Sequence, residues 1–335
     1  MRREHGVMSV IRRRAMSVIG AAAWTLAASG AHATDGFVEI NQICATLTGC
    51  FPGDNPGFPV MVDGSAGRHY RLSSDLTVPD GSTNGIVVAA DGIEIDLGGF
   101  AVLGSVDCTG SPIVCTPSGG TGIGISAASA SIRGVSVHDG SISGQGEAGI
   151  RLGDGTILRV LRVRSNGGVG VDVADGSVVL DVVVSSNGGG GIRADASRVA
   201  DALVAANGGD GIHSDFGTLE GNQVVRNGGV GLAVRAAVVR SNTIEANTLD
   251  GVLDAGGSLI LRNAVNGNLQ DGIETGAGAS LIGNVARGNG GFGIRLAAGS
   301  SFRENTVASA GAKTVANAGG LDLGANSCNG VATCP

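Results

Sequence analysis

One seven-residue phrase, returning every 20 or 21 residues, limits this chain to very few folds. It reads SNGGVGV at 165–171, SNGGGGI at 186–192, ANGGDGI at 206–212, RNGGVGL at 226–232, ANTLDGV at 246–252, GNLQDGI at 267–273 and GNGGFGI at 288–294. Its asparagines, Asn166, Asn187, Asn207, Asn227, Asn247, Asn268 and Asn289, are separated by 21, 20, 20, 20, 21 and 21 residues. GQGEAGI at 144–150 carries the series one step upstream, with Gln145 in place of asparagine. A fixed period of this size marks a stacked array, in which each unit buries its apolar face only against the next.

Aligning the repeats on the asparagine exposes three apolar columns. Eight residues earlier stand Leu158, Val179, Val199, Leu219, Val239, Ile260 and Leu281; three earlier, Val163, Val184, Val204, Val224, Ile244, Val265 and Ala286. Five later stand Val171, Ile192, Ile212, Leu232, Val252, Ile273 and Ile294. Three short aliphatic segments per period, parted by Gly and Asn, predict an all-β solenoid of 20–21-residue coils with three parallel sheets. Like residues then stack about 4.8 Å apart. The asparagines are expected to form an amide ladder, and Asn222, Asn242, Asn263, Asn284 and Asn305 a second one. The glycine before each third-column residue, such as Gly170 or Gly211, is expected to turn the corner with a positive φ. A leucine-rich repeat is excluded, because its leucine frame is missing and the 61 glycines disfavour a helix in every repeat. A calcium-binding nonapeptide roll has the wrong period.

The ends differ from the repeats. Arg2-Arg3 and Arg12-Arg13-Arg14 precede the apolar run Ala15 to Ala28, which closes on Ala31-His32-Ala33. This pattern predicts a signal peptide over 1–33, and hence a secreted or periplasmic protein. The run is too short and alanine-rich for a membrane span, so no membrane insertion of the mature chain is expected. Loss of these residues lowers Lys+Arg from 22 to 17 and Asp+Glu from 29 to 28, a net charge of −11. With Lys313 as its one lysine, such a chain has no electrostatic handle on nucleic acid. The six cysteines form close pairs, Cys44/Cys50, Cys108/Cys115 and Cys328/Cys334, which in an exported chain predict three small disulfide loops. Residues 34–84 are read as an N-terminal cap, 85–320 as the solenoid with an outward insertion at Cys108–Cys115, and 321–335 as a disulfide-bearing tail.

The NGGxGI repeats and the phrase Ile95-Asp96-Leu97-Gly98-Gly99-Phe100 resemble the right-handed parallel β-helix superfamily that includes pectin and pectate lyases. The stretches Ile40-Asn41-Gln42, Thr48 to Asp54, Gly57 to Val60 and Tyr70-Arg71-Leu72 are similar to an exported bacterial group within it. The resemblance implies the right-handed fold, export, and a polysaccharide substrate that is often acidic. It transfers no catalytic residue, since the chain carries no lyase or polygalacturonase signature, and fold alone does not give function.

Candidate chemistry must therefore come from outward positions. Between the two inward residues that follow each repeat glycine stand Arg151, Asp172, Arg193, His213, Ala233, Leu253, Glu274 and Arg295. Beside this row run Asp154, Asp175, Asp195, Asp215 and Asp254, with Asp210, Asp250 and Asp271 at the corner. The candidate catalytic set is His213, Arg193 and Asp215, with His213 or Arg193 as base and positive charge to stabilise an enolate. Asp210 and Asp215 are the candidate ligands of a Ca²⁺ that would bridge to a uronate. A solvated face of alternating charge explains the same residues structurally. His138 and Asp139 are read as an exposed turn. Two functions fit: a secreted protein that binds and processes an extracellular polysaccharide, as a lyase or epimerase if catalytic, or a non-catalytic structural or adhesive solenoid.

Overall fold

The computed structural model describes residues 36–308, 314–330 and 334; the expected signal peptide lies outside the described residues. Nearly all regular structure is short parallel strand. One ladder of 12 strands runs from Val60–Val62 through Ile212–Asp215 to Val315–Asn317. The other two ladders join into one sheet of 23 strands, because Ser136–Ser143 and Ile157–Arg164 each run unbroken through both. The register is that of the sequence period: Ile192 pairs with Ile212, Leu232 with Val252, and Val224 with Ile244.

All three aliphatic columns point inward, and every residue in them is at most 2% exposed. Each buried Val, Leu or Ile stabilises the stack by about 1.5–3 kcal/mol, and almost all of that depends on the neighbouring coil. Both asparagine ladders form as expected. Asn207 donates from Nδ2 to Asn227 Oδ1 at 3.0 Å, and Asn242 to Asn263 Oδ1 at 3.0 Å. The second ladder continues to Asn326, which accepts from Asn305 at 3.1 Å.

The corners are turned differently from the expectation. The glycines before the third column do not have positive φ. The left-handed residue instead precedes the asparagine: Ser165, Ser186, Ala206, Arg226 and Ala246 lie at φ 52–55°. Glycine is required five residues later, for want of room. A Cβ on Gly211 would stand 2.4 Å from Val224 Cγ1, 2.6 Å from the Gly231 carbonyl oxygen and 2.9 Å from Asn227 Nδ2.

Within the expected cap, residues 36–84 supply strands to the opening coils. Val38–Ile40 pairs with His69–Leu72, which pairs with Glu94–Asp96, while Val60–Val62 pairs with Ile86–Val88. Between them one helical turn, Cys44–Thr48, places Ala45 in the core. The tail likewise continues the ladders: Leu321–Asp322 and Ser327–Cys328 pair with Ser301–Arg303 and Thr306–Ala308. All three expected disulfides are present. The insertion is an antiparallel hairpin, Asp107–Thr109 with Val114–Thr116, folded back so that Cys108 Sγ lies 3.4 Å from the Asn166 carbonyl oxygen. No helix among the described residues is long and apolar enough to cross a membrane.

Candidate functional site

The outward row forms as a parallel ladder: Arg151, Asp172, Arg193, His213, Ala233, Leu253, Glu274 and Arg295 are successive register partners. Alternation along each strand explains it, since Ile212 and Ser214 point in and His213 must point out.

Around His213 the fold assembles most, but not all, of the expected set. Asp195, His213 and Asp215 each place a ligand-type atom within 4.8 Å of the others. The His213 Nε2 stands 3.8 Å from Asp195 Oδ1, beyond hydrogen-bond range, and its side chain is 43% exposed. Its ring therefore remains accessible. Asp195 is fixed by the Asp215 amide, which donates to Oδ1 at 2.9 Å, and Arg193 Nε lies 3.7 Å from its other oxygen. Asp215 is gripped by a residue the sequence reading missed: Arg235 donates to Oδ2 from Nε at 3.0 Å and from its terminal nitrogen at 2.6 Å. The same guanidinium lies 5.0 Å from the ring of the exposed Phe216, a cation–π contact. Arg235 was legible in principle, being one coil beyond Asp215 in register.

Asp210 is not part of this group. Its Oδ1 accepts from the Val230 amide at 2.8 Å, a bond that ties its own corner to the next coil. The donor set does not suit calcium, which takes six to eight oxygens. Here one donor is an imidazole and each carboxylate already faces a guanidinium. Asp254 departs further from the expected outward row. It lies one residue nearer its asparagine than Asp215 does, and a one-residue offset in a strand reverses the face. It points inward opposite Val234, is 1% exposed, and accepts from the Gly256 amide at 2.9 Å and Ser258 Oγ at 2.6 Å.

The far end of the row repeats the theme. Asp271 Oδ2 accepts from Arg295 Nε at 2.5 Å, and Arg295 lies 4.8 Å from the Phe292 ring. Burial, and then the nearby Asp250 charge, push the Glu274 carboxyl above its usual range. A groove of about 350 Å³ adjoins it, lined by Glu274, Thr275, Arg295 and Leu296 among others.

A second histidine contradicts its reading as exposed. His138 is 6% exposed on the strand Ser136–Ser143 and stands in register between Asp96 and Arg159. Its Nε2 lies 2.9 Å from Glu94 Oε1 and its Nδ1 2.8 Å from Asp139 Oδ2. Glu94 also reaches His69 Nδ1 at 2.8 Å, and the His138 bond leads the interactions that hold its carboxyl below the usual range. With both ring nitrogens engaged and little surface exposed, His138 is a clamp between coils. His213, by contrast, has a side chain 43% exposed and makes no ring hydrogen bond among the described residues.

A family model for the right-handed β-helix region matches residues 73–236 and 178–309. No curated protein matches the sequence. Among solved structures, the A-module of a mannuronan C-5 epimerase from Azotobacter vinelandii is similar at 15% identity and TM-score 0.65, over 85% of this chain and 88% of that one. A second mannuronan C-5 epimerase A-module from the same organism is similar at 14% identity and TM-score 0.52, over 77% and 90%. The Dettilon tailspike protein is similar at 13% identity and TM-score 0.59, over 80% of this chain and 61% of the tailspike, so the chain spans under two thirds of that relative. At these identities the likeness is one of fold.

Proposed function

We propose, for a chain that belongs to the right-handed β-helix family, that the outward row of its twelve-stranded ladder binds and processes an acidic extracellular polysaccharide over His213. The observation that carries this reading is the accessible His213 ring, set beside Arg193 and Arg235, each held by a carboxylate. A sugar acid needs a cation near its carboxylate and a base near the carbon-bound proton beside it. Arg193 supplies the first. His213 supplies the second, its unbonded nitrogen taking the proton, and Asp195 orients the resulting imidazolium. Phe216 offers an apolar face to a sugar ring, already backed by Arg235. Removal of the proton with departure of the adjacent glycosidic oxygen, which takes a proton from water, gives a lyase; delivery of a solvent proton to the opposite face of the carbanion gives an epimerase.

The test incubates the mature protein with a panel of polyuronates, with and without Ca²⁺. Appearance of unsaturated-uronate absorbance, or of the epimerised residue by NMR, abolished in His213→Ala, supports the assignment. Full activity in His213→Ala on a confirmed substrate removes it. Binding without turnover favours the second reading, a non-catalytic adhesive solenoid, to which the evenly paired charges elsewhere on this face lend support.

A further inference from the structure

We propose that the outward face of the strand Ile157–Arg164 is a separate binding surface, which holds the carboxylate or sulfate groups of a polyanionic glycan through Arg159, Arg162 and Arg164. The proposal shares only its ligand class with the His213 reading and uses no residue of that site. It starts from charge compensation. Nine arginines, Arg235 and Arg295 among them, lie within 4 Å of a carboxylate oxygen. Arg159, Arg162 and Arg164 have no such partner among the described residues, yet all three are exposed on one eight-residue strand. Other arginines without a carboxylate, such as Arg226, Arg262 and Arg287, stand one to a coil.

The neighbours do not neutralise the cluster. In register, Arg162 lies between Ser141 and Val183, and Arg164 between Ser143 and Ser185. Arg159 lies between Leu180 and His138, a ring already committed to Glu94 and Asp139. Three exposed like charges on one strand repel one another through water, and no carboxylate within 4 Å among the described residues pairs with them. A bound anion would. Arg162 and Arg164 point the same way about 6.6 Å apart, and a guanidinium fork matches a carboxylate or sulfate in two-point contact. The flanking serines add hydroxyls suited to sugar oxygens.

The corner between Arg159 and Arg162 is also unusual. Val160 is a β-branched residue at φ 52° and 54% exposed, at a corner where the following coils carry Asp181, Asp201, Gly221 and Ser241. Ile157 on the same strand is 45% exposed. The corner is left-handed in the neighbouring coils too, at Asp139, Asp181, Asp201 and Ser241, so what sets this coil apart is the exposed apolar side chain of Val160 in a column of mostly polar residues. Guanidinium forks beside the apolar side chains of Ile157 and Val160 suit the carboxylates and ring faces of a sugar polymer.

The test is affinity electrophoresis of the mature protein through gels containing polygalacturonate, dextran sulfate or neutral dextran. Retardation by a charged polymer but not by neutral dextran is expected, with Arg162→Gln/Arg164→Gln weakening it at least about tenfold and Arg226→Gln/Arg262→Gln leaving it unchanged. An unaltered circular dichroism spectrum and melting temperature establish that the double variant is folded. If the charged polymers are retained equally by Arg162→Gln/Arg164→Gln but lost by Arg193→Gln/Arg235→Gln, this proposal is overturned while the His213 reading stands. No retardation of the native chain overturns both. Loss of binding to phosphatidylglycerol vesicles or single-stranded DNA, with the polysaccharides unaffected, overturns the glycan assignment.

Discussion

Asn227 sits in the middle of the first amide ladder and is fully buried, so Asn227→Ala measures what a rung contributes. Its Oδ1 accepts from the Asn207 backbone amide at 3.1 Å and from Asn207 Nδ2 at 3.0 Å. Its Nδ2 donates to the Val204 carbonyl at 3.2 Å and to Asn247 Oδ1 at 3.0 Å. Two of the partners keep an alternative: Asn207 Nδ2 still reaches the Val184 carbonyl, and Asn247 Oδ1 still accepts from the Asn227 amide. The Asn207 N–H is left with no acceptor, at a cost of about 1–3 kcal/mol, and the remaining bonds add about 1 kcal/mol each at most. We expect a loss of about 3 kcal/mol. Asn289→Ala should lose about 1 kcal/mol less, because among the described residues Asn289 has no further asparagine to donate to and donates to the Val265 carbonyl. Asn227→Asp should be worse than alanine at neutral pH, since it sets a carboxylate oxygen against two acceptors without water. Urea unfolding gives the overall loss. Amide exchange over residues 204–230 locates it, which matters because long repeat arrays need not unfold in one step. A change within about 0.5 kcal/mol for Asn227→Ala, or native stability for Asn227→Asp at neutral pH, would refute the ladder as a stabilising element.

Two further outcomes follow from the packing. Gly211→Ala drives a methyl into Val224 and the Gly231 backbone, and should cost about 1–3 kcal/mol by thermal or urea denaturation; a neutral result would mean that the coils separate easily. Glu94→Gln should cost about 1 kcal/mol at neutral pH, the value of a charge-assisted bond discounted for the carboxylate's partial exposure. Because the folded-state pKa of Glu94 lies below its ordinary value, its stabilisation is present above the usual carboxylate range and is lost as the pH falls through the depressed value. The native chain and Glu94→Gln should therefore converge in melting temperature in acid, and a gap that stays constant with pH would count against the His138–Glu94 interaction.

The solenoid was legible because a repeat states its own contacts. Each residue meets its counterpart about 20 positions away, so the columns through Val224 and Asn227 needed only alignment. Positions off that rule were harder to read. The HDG segment at 138–140 looks like a turn, and nothing in it reveals that Glu94, 44 residues upstream, closes over His138. Asp254 was misplaced by a single residue of parity. The corner glycines were assigned a conformational role when their constraint is steric. At the candidate site, His213 and Arg193 come from the outward row and Asp215 from the line beside it, whereas the approach of Arg235 and of Asp195 depends on side-chain reach.

What the sequence determined by itself is the axial order: which residues stack on which, which amides form ladders, and which faces point out, since a strict period leaves each coil no other way to bury its aliphatic side chains. What the tertiary structure decided is everything lateral to that axis. Whether a carboxylate meets an arginine, a neighbouring amide or no partner at all depends on where each corner turns and how far each side chain reaches. Those distances of a few ångströms separate the paired arginine at 235 from the unpaired ones at 159, 162 and 164.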